Sequence, residues 1–224
     1  MMKRRDFSAL SLTTLAAASA GLAPTWALAQ GGPVEGKQYQ RLSQALPVPA
    51  GKIEVVEFFW YGCPHCFAFD PVLEAWVKQL PADVTFRRAH VGFRANIKLH
   101  QRMFYALEVM GKEAELRARV FAAFHTERID LDDEKAIFAL AGRLGLDSAK
   151  FADAFNSFGV QTKCAQATKL SEAYRIDGVP SLGIAGRFLT SPAMAGARGQ
   201  AEASQGQQAV AVADFLIKLA RNKA

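Results

Sequence analysis

The chain has 224 residues, half of them apolar, which is enough for one substantial core with an insertion or for two small domains and excludes a disordered protein. Its formal charge of +6 comes without a basic stripe interleaved with aromatics, so nucleic acid is not an expected partner. Three cysteines, an odd number in a chain too long to need staples, exclude a fully paired disulfide framework.

Residues 1–29 read differently from the rest. A basic start at Lys3, Arg4 and Arg5 precedes an apolar run from Ala9 to Leu22, and Ala27-Leu28-Ala29 follows before Gln30. That is the layout of a cleavable export signal, with cleavage expected after Ala29. Arg4-Arg5-Asp6-Phe7 also resembles a twin-arginine signal, and both export routes stay open. Losing Lys3, Arg4, Arg5 and Asp6 leaves 24 basic against 20 acidic residues, a net +4 that favours no polyanion.

Residues 30–52, rich in Gly and Pro, read as a leader that wraps the domain. Ile53 to Trp60 is a β-branched and aromatic run broken inside only by Glu57, as expected of a strand covered on both faces. After Tyr61-Gly62, apolar residues recur at helical spacing from Phe67 to Leu80, with Pro71 as a kink. Val84 to Val91 is predicted to be a second inner strand, completing a right-handed βαβ unit. A stretch without strands follows. One helical stripe runs through Leu99, Met103, Ala106 and Met110 to Gly111, and another through Leu116, Val120 and Ala123. A third, capped by Asp132 or Asp133, carries Ile137 and Leu140 and ends near Gly145. A fourth, capped by Asp147, carries Phe151, Ala154, Phe155 and Phe158.

Val160, Cys164, Ala167 and Tyr174 place a further helix before Gly178-Val179-Pro180 stops it. Ser181 to Leu189 reads as a hairpin turning at Gly186-Arg187. Thr190 to Gln208, rich in Gly, Ala, Ser and Gln, reads as surface loop, and Val210 to Leu219 as a closing helix. The expectation is an α/β domain, residues 30–95 and 159–224, split by an all-helical insertion at 96–158.

The chemistry concentrates at Cys63-Pro64-His65-Cys66. Cys63 stands where a buried strand hands over to a helix, and Pro64 suits the first helical position. Helix N–H groups aimed at the sulfur, with the His65 ring beside it, favour thiolate over thiol, while Cys66, one turn on, is expected to be buried and to resolve mixed disulfides. A stabilised thiolate makes the paired disulfide oxidising. The competing reading, half a zinc site, needs two more ligands. Its candidates, Cys164, His90, His100 and His125, form no second close pair, so neither metal nor other cofactor is expected. Phe67 after Cys66 also rules out haem attachment. Cys164 and His90 are expected to be packing residues, as are most of Phe59, Trp60, Tyr61 and Phe67, with Trp60 and Tyr61 able to border a substrate groove.

Val56-Glu57-Phe58-Phe59, Cys63-Pro64-His65-Cys66, His90-Val91, Asn156-Ser157-Phe158 and Gly178-Val179-Pro180, in that order, resemble the DsbA-type periplasmic thiol oxidases over nearly the whole exported chain. The resemblance implies a thioredoxin-like fold with a helical insertion and a cis Val179-Pro180 peptide that presents Val179 backbone to an extended substrate. It also implies that Glu57 is a buried acid beneath the cysteines, relaying protons to Cys66; Arg88 stands where the family has lysine. The implied partners are reduced exported proteins and a DsbB-type membrane quinone reductase that reoxidises Cys63 and Cys66. A disulfide isomerase or reductase of the same fold, and a peptide-binding chaperone without redox chemistry, are the alternatives. Residues 30–52 are too short for the N-terminal dimerisation domain of DsbC-type isomerases, and a monomer is expected.

Overall fold

A computed structural model describes residues 32–222; the export signal read at 1–29 lies outside the described residues. Strand β1 is Gln40–Arg41, β2 Ile53–Phe59, β3 Val84–His90, β4 Ser181–Ile184 and β5 Phe188–Thr190, and they form one sheet in the order β1-β5-β4-β2-β3. Helix α1, Pro64–Val77, crosses over between β2 and β3, which pair in parallel with Glu57 opposite Arg88. β4 runs antiparallel to β2, with Glu57 opposite Leu182.

Alternation along β2 decides what faces what. Val55 joins a core with Phe69, Leu73 and Trp76 of α1 and with the last helix, whereas Val56 and Phe58 pack on the opposite face with Ala89 and Tyr174. Glu57 therefore points to the α1 side. β3, expected inside the sheet, is an edge strand. Its Thr85 and Arg87 are both exposed, and the apolar residues that suggest an inner strand lie only toward its two ends.

The insertion is helical as expected: α2 Ala95–Val109, α3 Glu113–His125, α4 Glu134–Arg143 and α5 Ser148–Asn156. Asp133 and Asp147 cap α4 and α5, accepting from the N–H groups of Ala136 and Lys150. Gly111 and Gly145 take positive φ just past α2 and α4. Phe158 does not belong to the fourth helix: Ser157 caps a new one there, α6 (Phe158–Ala173), and leaves Phe158 83% exposed.

Two further corrections concern the ends. The leader adds β1, antiparallel to β5, rather than only wrapping. The predicted loop at 190–208 is largely structured: Thr190 closes β5, and Ser191 with Pro192 starts a short helix α7, Pro192–Ala195. Helix α8 runs from Glu202 to Arg221, well before Val210. Gly206 lets α8 close on α1, since a Cβ there would lie 2.9 Å from the Phe69 ring. No helix among the described residues is long and apolar enough to cross a membrane.

Candidate active site

Cys63 is the N-cap of α1 and Pro64 its first residue. Both Cys63 and Cys66 are thiols in the structure and both are buried, Cys66 completely. The two sulfurs sit in opposite electrostatic situations. Cys63 is held down to about 6, chiefly by a hydrogen bond from the Cys66 thiol, against the upward push of burial. The N–H groups of Cys66 and His65 and the His65 ring add to the lowering. Cys66 is pushed well above the ordinary thiol range, first by burial and then by the bond it makes to Cys63. A low thiol at the mouth and a high one beneath it is the asymmetry that disulfide exchange uses.

The Val179-Pro180 peptide is cis, and the Cys63 thiol donates to the Val179 carbonyl across 3.4 Å. Residues 116 positions apart in sequence thus meet at the reacting sulfur. His65 is largely exposed, and its Nδ1 lies 2.6 Å from Glu202 Oε1 at the start of α8. That acid was hidden in the stretch read as loop. From this point a groove of about 350 Å³ runs past Val179, Pro180, Leu189 and Met194. Trp60 and Tyr61 do not line it. Trp60 donates to His100, and Tyr61 is buried with its hydroxyl on Glu113. Phe67, expected in the core, is 37% exposed and stacks on His125.

Glu57 is buried, with its side chain 2% exposed, and Arg88 Nε stands 2.8 Å from its Oε2. The two groups are close but misaligned, so Oε2 has no hydrogen-bond partner. Burial pushes this carboxyl up to about 7, Asp70 adding to the rise and the Arg88 and Arg117 charges opposing it. Arg88 continues to Asp70 at 3.3 Å and to Glu74 at 2.7 Å. Glu74 Oε1 also accepts from Arg117 at 2.6 Å. Arg117 grips Glu113 with two nitrogens, and Glu113 takes the Tyr61 hydroxyl at 2.8 Å. Four carboxylates thus share two guanidiniums. The excess of negative charge favours keeping a proton in the cluster, and burial favours the neutral form as well. The family resemblance pointed to Glu57 with Arg88 but not to Glu74, Glu113 and Arg117, because their meeting depends on how α3 packs.

The remaining candidates are engaged elsewhere. His90 is buried, donates through Nδ1 to the Val91 carbonyl and accepts from Tyr61 N, and burial lowers it to about 3. His100 reaches the Leu131 carbonyl and His125 that of Tyr61. Cys164 is half-buried rather than fully so, and burial raises it to about 11. Among the described residues no group of three or more His, Cys, Asp or Glu side chains gathers as a metal site would require.

Comparison with known proteins gives a consistent result. A family model for a DSBA-like thioredoxin domain matches residues 54–203. The chain is 39% identical to the thiol:disulfide interchange protein DsbA of Burkholderia cepacia over 194 residues, covering 85% of this chain and 87% of that one. It is 42% identical to the DsbA of Bordetella parapertussis over 181 residues, 80% and 86% of the two chains. The crystal structure of Pseudomonas aeruginosa DsbA superposes with a TM-score of 0.77 at 38% identity, covering 84% of this chain and 94% of that one.

Proposed function

The chain belongs to the family of DSBA-like thioredoxin domains and is a thiol:disulfide oxidoreductase, and from that premise we propose that Cys63 is the sulfur substrates attack and Cys66 the one that leaves. A substrate thiolate attacks Cys63 Sγ, the Cys63–Cys66 bond breaks, and Cys66 departs as a thiolate that takes up a proton. A second substrate thiolate then attacks the substrate sulfur of the mixed disulfide. The substrate loses two electrons and gains a disulfide, and Cys63 leaves as a thiolate. The observation that carries this assignment is the opposed pair of environments, Cys63 lowered to about 6 and Cys66 raised. Pro64 sets the helix start, and the His65 ring adds positive potential at Cys63. Glu57, beneath Cys66, is the proton donor and acceptor for that sulfur, with Arg88 in the place of the family's lysine. Val179, before Pro180, offers backbone to the substrate strand.

The substrates in this reading are reduced exported proteins, a DsbB-type membrane quinone reductase restores the disulfide, and the chain acts in the periplasm after cleavage following Ala29. The division into 30–95, 96–158 and 159–224 and a monomeric state belong to the same proposal. Two experiments test it. The disulfide, equilibrated with glutathione, is expected to be strongly oxidising; one as hard to reduce as a reductase's would overturn the donor assignment. Cys66→Ala is expected to accumulate mixed disulfides between Cys63 and exported proteins, and recovery of none would overturn Cys63 as the attacked sulfur or exported proteins as the substrates.

A further inference from the structure

The groove beside Cys63 carries an uneven charge. Around the redox helix, the carboxylates of Glu57, Asp70, Glu74 and Glu113 are all met by Arg88 or Arg117. Two others are not. Glu202 and Asp177 both line the groove. Among the described residues neither has a lysine or arginine partner, Glu202 meeting only the His65 ring.

Both acids sit next to residues that adjoin the reacting sulfur. Glu202 is fixed to the residue two positions after Cys63. Asp177 is two residues before Val179, whose carbonyl takes the Cys63 thiol. Arg175 is the one lysine or arginine in the lining. It also lines the adjoining cavity, with Arg41 and Ser43, and stands within ion-pair distance of neither acid. The rest of the lining mixes apolar Leu189 and Met194 with uncharged Ser181, Ser191 and Gln205, and adds no further acid. We propose that Asp177 and Glu202 make the groove selective for reduced substrate segments that carry a lysine or arginine beside the reacting cysteine. This rests on the reading above that substrate strands dock on Val179, which lines the groove. Charges at this depth remain in contact with water, so the preference acts through encounter and orientation and weakens with salt.

The test uses the oxidised protein and three dithiol peptides identical except for lysine, glutamine or glutamate beside the first cysteine. Each rate of oxidation is divided by that peptide's rate with a small neutral disulfide, which removes the effect of the neighbour on the peptide's own thiol. At about 20 mM salt the normalised lysine rate is expected to exceed the glutamate rate about tenfold, and the ratio to fall severalfold at about 0.5 M. In Asp177→Asn combined with Glu202→Gln the ratio should drop to about two or less. A change in Cys63 reactivity caused by freeing His65 affects both peptides and cancels. A ratio near one in the unaltered protein, or one that survives in the double variant, overturns the selectivity. Failure to oxidise even the glutamine peptide would instead overturn the docking and donor assignments.

Discussion

Titrating the redox equilibrium tests the electrostatics of Cys63 directly. An ordinary thiol ionises near 9.0, and Cys63 is lowered to about 6. The group is depressed in the folded reduced protein, so its contribution is fully present above pH 9 and lost as the pH falls through 6. Linkage gives a ceiling of about 4 kcal/mol above pH 9, about 1.4 kcal/mol at pH 7 and almost nothing at pH 5. Water reaching the sulfur from the groove screens part of this, and about 1 kcal/mol at pH 7, or about 20 mV, is the working figure. The slope is the sharper signature. Below pH 6, reduction takes up two protons and the potential falls by about 59 mV per pH unit; above it, with Cys63 ionised and Cys66 still protonated, the slope halves to about 30 mV. Equilibration with glutathione from pH 4.5 to 8.5, quenched by acid and alkylation, reads both. A single slope of about 59 mV up to pH 8 would refute the assignment of a stabilised thiolate to Cys63.

Three further outcomes follow from the packing. Glu57 is raised from 4.5 to about 7 by burial, so ionising it costs stability that is absent below pH 4.5 and complete above pH 7. Glu57→Gln should therefore gain on the unaltered protein by about 2.5 kcal/mol between pH 5 and pH 8 in urea unfolding, and a pH-independent difference would show that Glu57 is already ionised. Arg117→Met strands Glu113 and half of Glu74 and is expected to cost about 3–5 kcal/mol, against less than about 1 for the exposed Arg143→Met, by the same assay. Gly183→Ala places a Cβ 2.5 Å from the Tyr174 ring and should lower stability by about 1–3 kcal/mol, seen as a drop in thermal midpoint.

What could be read from the chain alone follows the range of each interaction. The caps at Asp133 and Asp147, the glycines after α2 and α4 and the proline opening α1 all act within one turn, so their residue types announce them. The hairpin was legible through Gly186, but its turn centres on Ala185-Gly186, both at positive φ, one residue before the expected Gly186-Arg187, because an alanine does not announce that conformation. Ser191-Pro192 was an equally local signal, yet the polar, alanine-rich stretch around it concealed a helix start. Gly206 looked like a loop glycine but marks contact with α1. β3 was misplaced because strand order depends on β4 returning to the other side of β2, which no local pattern encodes. In the site, Cys63, Cys66, Val179 and Pro180 were found from motif and order, whereas Glu202 and Arg117 act through contacts made by distant helices.

Glu74 accepts one guanidinium from β3 and another from α3 at the same oxygen. A single carboxylate on α1 therefore ties the sheet to the insertion, and separating the two breaks a charge-assisted hydrogen bond that both networks share. Hydrogen exchange should consequently find the amides of β3 and α3 opening together, with one free energy, although the insertion looks like an addition to a self-sufficient sheet. Such a joint also constrains change: a new α3 grafted onto this sheet must bring its own arginine to that oxygen, or lose the cooperativity of the whole.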